Sequence, residues 1–230
     1  MKQRLRQTRE WVFDLDNTLY PPESDLFAQI DRRMTQFVAD LLGLAPAEAR
    51  KIQKAYYAEH GTTMSGLMQE HHIEPESYLD FVHDIDLSPL RVDRALQGAI
   101  AALPGRKIVF TNGSRGHAHR VLAARGLDEM FDEIIGIEDT GFVPKPQAPA
   151  YTHLLETVKV DPAQAAFIED MARNLEPAHA LGFVTILVHS NKDWSHEPEE
   201  ARPAGVNDDH DHVHFTTGDL AGFLVQAIKE

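Results

Sequence analysis

The residues with the clearest chemical content are two aspartates separated by one residue. In "EWVFDLDNTLYPP", residues 10–22, a run of bulky apolar side chains ends in Asp14 and Asp16, followed by Thr18 and two prolines. Three later stretches share this character. Thr111 and Asn112 close the apolar run of "IVFTNGS", Lys145 stands between Pro144 and Pro146, and Glu169 and Asp170 end the run of "FIEDMARN", which also holds Asn174. Gathered in one place, these groups supply three to four carboxylates, a hydroxyl and an ammonium. Crowded carboxylates repel one another and are costly to desolvate. A hard divalent cation removes that penalty, and oxygen ligands of this kind suit Mg2+. Lys145 is not needed by such a metal. A cation, a hydroxyl and backbone N–H groups beside a metal suit a phosphoryl group instead. Asp14 is then ligand and nucleophile, and Asp16 acts on the other side of the reacting group.

For this chemistry to exist, the four stretches must end at one edge of one scaffold. Five short runs rich in apolar and β-branched residues have the length of buried strands: residues 11–14, 107–111, 133–137, 165–169 and 184–188. Helical periodicity lies between most of them, at 92–103, at 114–125 closed by Gly126, and at 151–158. Strands alternating with helices predict an α/β fold, a parallel sheet covered on both faces. Ligands of such sheets bind beyond the carboxyl ends of the strands, which is where the acidic residues, Thr111 and Asn112 fall.

The first connection breaks this rhythm, because about 90 residues separate the first two strands. Leu26, Ile30, Met34, Phe37 and Leu41 recur at helical spacing before Gly43, and Pro46 suits the first turn of the next helix. Further helical pieces lie around Leu67 and Leu79. The expected organisation is a core of residues 1–19 and 89–230 with an inserted all-helical domain at 20–88. Residues 190–211 read as a long polar loop, with a short edge strand at 212–215.

Each feature also has a plainer reading. Asp14-x-Asp16-x-Thr18 has a faint likeness to a calcium loop, but Leu19 stands where that loop needs glycine. Thr111 alone is a helix cap, Glu169 and Asp170 a solvated pair, Lys145 a surface lysine. Their order, each at or near a strand end, favours the joint reading. His210, His212 and His214 offer metal ligands, although a solvated turn is the better-supported reading.

Thirty-six acidic against twenty-two basic residues give a net charge of −14, which disfavours DNA or RNA as the main partner. The absence of cysteine excludes disulfides, thiolate metal sites and a cysteine nucleophile. The polar first ten residues carry no secretory signal pattern, and no apolar run approaches the roughly 18 residues of a membrane span. The default expectation is a cytoplasmic protein with no membrane partner.

The motifs resemble those of the haloacid dehalogenase superfamily of phosphohydrolases. Asp14-Leu15-Asp16-Asn17-Thr18 matches its first motif, Thr111-Asn112-Gly113 its second, Lys145-Pro146 its third, and Glu169-Asp170 with Asn174 its fourth. Within subfamily IA, "DNTLYPP", "YYAEHGTTMSGLM", "FVHDIDLSPL", "IVFTNGSRGHAHRVL" and "FVPKPQAPAY" resemble pyrimidine 5′-nucleotidases. One departure is visible: that subgroup commonly has two aspartates and a serine where this chain reads Glu169-Asp170-Met171. The resemblance implies a Rossmann-like core with a helical cap of the C1 type. It implies that Asp14 attacks phosphorus, and that Asp16 protonates the leaving alcohol and then activates water. It implies Mg2+ held by Asp14, the Asp16 carbonyl and Asp170, with Glu169 acting through water. It implies that Thr111, the Asn112 N–H and Lys145 hold the phosphoryl oxygens, that Asn174 supports Lys145 or the metal shell, and that Thr18 is a supporting residue.

The implied partner is a small phosphorylated metabolite, a nucleoside monophosphate with a pyrimidine base. Another phosphate ester such as a sugar phosphate, or a phosphomutase reaction, stays open. A carbon–halogen hydrolase has no use for the metal cluster. A phospho-receiver module usually carries its acidic pair before the phosphorylated aspartate and lacks a helical insert. Tyr56, Tyr57, His60, Thr62, Thr63 and His83 are candidates for the leaving-group side, against the plainer reading that they pack the insert.

Overall fold

A computed structural model describes residues 2–195 and 197–229. A short helix α1 (Lys2–Gln7) leads into strand β1 (Glu10–Phe13). Five helices lie before the next strand, the first four being α2 (Leu26–Leu42), α3 (Pro46–His60), α4 (Thr63–His71) and α5 (Pro75–Val82). Then come α6 (Arg94–Ala101), β2 (Arg106–Phe110), α7 (Arg115–Arg125), β3 (Glu133–Ile135), α8 (Ala148–Glu156) and β4 (Ala165–Glu169). The chain closes with α9 (Ala172–Leu181), β5 (Val184–Val188), β6 (Phe215–Thr217) and α10 (Leu220–Lys229).

The six strands form one sheet in the order β3-β2-β1-β4-β5-β6, with every neighbouring pair parallel. Such strands must be apolar on both sides because helices cover both faces. The two-residue period of β1 divides accordingly. Trp11 and Phe13 point into a core with α6, α7 and α10, whereas Val12 joins the opposite core with α8 and α9. The five strands expected from sequence are present. The sixth lies at Phe215–Thr217, three residues later than expected, and the α1, α9 and α10 helices were not anticipated.

Helices α2 to α5 pack largely on one another. Ile30, Val38, Leu67, Tyr78 and Val82 form a separate apolar cluster, which Ile137 and Phe142 from the segment after β3 join. Phe37 meets Tyr78 edge-on, with ring centroids 5.0 Å apart. Local signals start and stop these helices as the sequence suggests. Pro46 opens α3, and Gly43 ends α2 in the left-handed conformation that turns the Leu44 N–H onto the Ala39 carbonyl at 3.1 Å. Among the described residues no helix is long and apolar enough to cross a membrane.

Candidate active site

The strand order places β1 between β2 and β4, so the residues that follow these three strands converge. The Asp14 N–H donates to the Ile168 carbonyl at 2.9 Å and extends the β1–β4 ladder by one residue. Its side chain thus leaves the sheet edge beside Glu169 and Asp170. Lys145 arrives from the connection between β3 and α8. The Asn112 side chain holds it there through two backbone bonds, accepting from Lys145 N at 2.8 Å and donating to Lys145 O at 3.0 Å.

Lys145 is 1% exposed, and its Nζ donates to Asp14 Oδ1 at 2.8 Å, to Glu169 Oε2 at 2.7 Å and to the Phe110 carbonyl at 2.8 Å. All three ammonium donors are used. Burial pulls the lysine toward its neutral form, but Asp14 and Glu169 outweigh it and keep the charge on. One ammonium does not balance three carboxylates. Burial, and next Glu169, push Asp14 up to about 8, against the pull of Lys145. Asp170 is raised well above its usual range by burial and by Glu169 and Asp14.

Oxygens of Asp14, Glu169 and Asp170 lie within 4.8 Å of one another, and Asp170 Oδ2 is buried without a hydrogen-bond partner. A buried orphan carboxylate oxygen inside an acidic cluster is what a cation site leaves when only protein atoms satisfy it. The donor set is all oxygen and fits a hard divalent cation. The residues therefore fit Mg2+, with Asp14, Asp170 and Glu169 at hand to hold it.

The remaining expected residues fall around this cluster. Thr111 is buried, and its Oγ1 accepts from the Gly113 N–H at 2.9 Å, which shapes the turn after β2. Thr18 and Asn17 are buried, and Thr18 Oγ1 and Asn17 Oδ1 have no partner. Asn174 is buried on the first turn of α9. Its carbonyl accepts from the Tyr151 hydroxyl at 2.5 Å, its Oδ1 has no partner, and it makes no bond to Lys145.

Asp16 has partners that sequence reasoning missed. The Tyr20 hydroxyl donates to Asp16 Oδ1 at 2.7 Å, and His117 Nε2 lies 3.1 Å from the same oxygen. Burial raises Asp16, yet His117 and Tyr20 together hold it below the usual carboxylate range. His83 stacks on His117 at 4.3 Å with an 11° tilt, and burial, then His117, lower its pKa to about 3. The signal was present: Tyr20 lies four residues past Asp16, and His117 sits one turn into the helix that follows "TNGS".

A cavity of about 420 Å3 lies over this edge of the sheet. Asp14, Asp16, Thr111, Lys145 and Asp170 floor it, and the insert contributes Phe27, Ile30, Met34, Met64 and Tyr78. Of the leaving-group candidates, Tyr57, Thr62, Thr63 and His83 line it, and Tyr56 and His60 are not in the lining. The Tyr56 hydroxyl instead bonds His71 Nε2 at 2.7 Å inside the insert. Arg173 of α9 stacks over the Tyr57 ring at 4.7 Å and bonds its hydroxyl. Asp31 and Glu197 meet Arg50 and Lys54 in a ring of ion pairs, with Lys54 Nζ 2.7 Å from Asp31 and 2.6 Å from Glu197. That ring joins the insert to the loop after β5.

The three histidines stand apart from the cavity. His212 Nε2 lies 2.8 Å from the Ala172 carbonyl, and His214 Nδ1 meets both the backbone N–H and the hydroxyl of Thr185. Among the described residues, they belong to no group of three converging metal ligands.

The chain is similar to known proteins in sequence and in fold. A family described as haloacid dehalogenase-like hydrolase matches residues 11–182. "Phosphate metabolism protein 8" of Saccharomyces cerevisiae is 28% identical over 206 residues, 82% of this chain and 64% of that protein. The chain thus spans less than two thirds of that relative's length. "Enolase-phosphatase E1" of a Shewanella species is 26% identical over 176 residues, covering 76% of this chain and 67% of that protein. In three dimensions, CbbY from Rhodobacter sphaeroides, solved in complex with phosphate, superposes with a TM-score of 0.61 at 17% identity. That match covers 93% of this chain and 95% of the other, and it speaks to the fold alone.

Proposed function

The chain belongs to the haloacid dehalogenase-like hydrolases, and from that premise we propose that it is a Mg2+-dependent phosphomonoesterase working through an aspartyl-phosphate on Asp14. One observation carries the reading: Asp14 leaves the sheet edge in a cluster where Lys145, Glu169 and a partnerless Asp170 oxygen surround it. A carboxylate in that setting, once its charge is balanced, is a nucleophile rather than a structural group.

Bound Mg2+ supplies charge neutralisation for the carboxylates and for the phosphoryl oxygens. The chain's own groups do the rest. Asp14 attacks phosphorus in line, while Lys145 and the Thr111 hydroxyl hold non-bridging oxygens as charge builds there. Asp16 gives a proton to the leaving alcohol, then takes one from the water that hydrolyses the acyl phosphate. Asn112 keeps Lys145 in place through its two backbone bonds.

The insert of residues 20–88 is a cap over a core of residues 1–19 and 89–230. Its side chains line the cavity above the reacting groups, the position from which a cap limits the access of water. The reading extends to a nucleoside monophosphate with a pyrimidine base as substrate. Tyr57 supplies an aromatic ring on the cavity wall beside Arg173, and the pyrimidine preference itself rests on the resemblance of the insert's sequence. Phosphate release from UMP, CMP, AMP, GMP and several sugar phosphates tests it through kcat/KM. UMP and CMP are expected to lead. A purine nucleotide or sugar phosphate ahead by more than about tenfold, roughly 1.4 kcal/mol of transition-state preference, overturns the pyrimidine assignment and leaves the phosphatase reading standing.

A further inference from the structure

Asp16 is held in an unusual way for a side chain asked to pass a proton. Both of its donors, the Tyr20 hydroxyl at 2.7 Å and His117 Nε2 at 3.1 Å, fall on one oxygen, Oδ1. No described residue bonds to Oδ2, which lies on the side facing Gly113. There a Cβ on the glycine would come within 3.6 Å of that oxygen and 3.3 Å of the His117 ring. The Asp16 side chain keeps 17% of its surface accessible, whereas His117 is wholly buried.

The tautomer of His117 follows from its surroundings. Its Nδ1 is buried without a partner. A proton on Nε2 bonds Asp16 and leaves only an unused lone pair at Nδ1. A proton on Nδ1 alone would bury an unpaired N–H and set a nitrogen lone pair against the Asp16 oxygen, so Nε2 keeps its proton whether the ring is neutral or charged. The ring has little freedom to turn. His83 stacks on it at 4.3 Å, and His83 is in turn tied by Ser114 Oγ at its Nδ1, 3.0 Å away. Ser114 also accepts the backbone N–H of His117 at 3.2 Å as the cap of α7.

We propose that His117 and Tyr20 are positioning residues that fix which oxygen of Asp16 carries the proton. With two donors on Oδ1, that oxygen serves as the carbonyl-like acceptor, and the acid proton has only Oδ2 to occupy. In the first half-reaction the Asp14 carboxylate forms a bond to phosphorus, and the bond from phosphorus to the leaving oxygen breaks. Asp16 rests as the carboxylate that its two donors favour, so the proton is taken up at Oδ2 from the monoanionic phosphate ester and passed to that oxygen. Asp16 is then again a carboxylate, which the Tyr20 and His117 donors stabilise. In the second half-reaction Oδ2 takes a proton from water as the water oxygen bonds to phosphorus and Asp14 is released. The inference rests on the proposed phosphatase reading and adds to it the device that orients Asp16.

An alkyl leaving group needs the proton, while p-nitrophenolate leaves without it, so the ratio of kcat/KM for UMP to that for p-nitrophenyl phosphate isolates the step. In His117→Leu, which fills the ring's place without a donor, that ratio is expected to fall at least about tenfold. His117→Gln, which restores a donor, is expected to recover it to within about threefold. Tyr20→Phe, which removes a single oxygen, gives the same direction of change if His117→Leu does not fold. Asp16→Asn separates the two levels. If it leaves the ratio unchanged, Asp16 is not the acid and the phosphatase mechanism itself is wrong. If it lowers the ratio while the folded His117 and Tyr20 variants do not, the mechanism stands and the positioning role is overturned.

Discussion

Lys145 spends all three of its donors on Asp14, Glu169 and the Phe110 carbonyl, and still leaves the carboxylates beside it in excess. The excess shows at Asp14, whose pKa rises from 3.8 to about 8 through burial and Glu169. Between those two values the folded chain keeps a proton on Asp14 that the unfolded chain has released. The folded state therefore binds more protons in that window, and Asp14 weakens stability progressively as pH rises from 3.8 to about 8. In EDTA, urea unfolding of the native chain compared with Asp14→Asn measures this term. The native chain is expected to lose stability relative to the variant across the window, and saturating Mg2+ is expected to abolish the trend. A native chain that gains on the variant as pH rises would contradict the charge balance described above. The residues that carry chemistry were legible because each stands where an apolar run stops. His117 and Tyr20 were not, since one reads as part of an ordinary helix and the other as part of a turn, and only the fold brings both onto Asp16.

The elements are joined at points where the chain has no room to spare. Gly105 precedes β2 with φ of +81°, and a Cβ there would sit 1.9 Å from the Arg9 carbonyl oxygen, just ahead of β1. That carbonyl accepts from the Arg106 N–H at 2.8 Å, the bond that starts the β1–β2 pairing. Gly105→Ala must give up either the turn or that pairing, and a loss of at least about 2 kcal/mol is expected in urea unfolding. A loss below about 0.5 kcal/mol, the range of an ordinary surface change, would show that the junction yields without strain. The strands and the inserted helices were readable from period and punctuation. Gly43, Pro46 and Gly126 mark boundaries that the structure keeps. Helix α9 was hidden because it starts inside the acidic motif and carries Pro177 within it. The edge strand β6 was misplaced because its start is set by pairing with Ile186 and not by its own composition. What the insert presents to the cavity was half legible. Tyr57 and Tyr56 are neighbours in sequence, yet one lines the cavity and the other bonds His71 within the insert.

The whole molecule carries a net charge of −14, and its own acidic cluster would repel a phosphate ester. A divalent cation in the cluster removes the local repulsion, which gives a test of the folded protein as well as of its activity. Mg2+ that binds only the native state raises stability by about 2.7 kcal/mol at a hundredfold excess over its Kd. The thermal midpoint is expected to rise with Mg2+ and to fall back with EDTA, in step with phosphate release. Ca2+ is expected to stabilise the fold and inhibit the reaction, because its larger and looser shell misplaces the oxygens for in-line attack. Full activity after dialysis against EDTA would count against the carboxylate cluster as a metal site. The claim on which all of this rests is that Asp14 is the nucleophile. It is tested most directly by Mg2+-dependent release of phosphate from p-nitrophenyl phosphate by the native chain and by Asp14→Asn, with circular dichroism to show that both are folded. The expected result is release by the native chain and a loss of at least about a thousandfold in the variant. Folded Asp14→Asn within tenfold of the native rate, or a native chain that releases no phosphate with Mg2+ present, would contradict it.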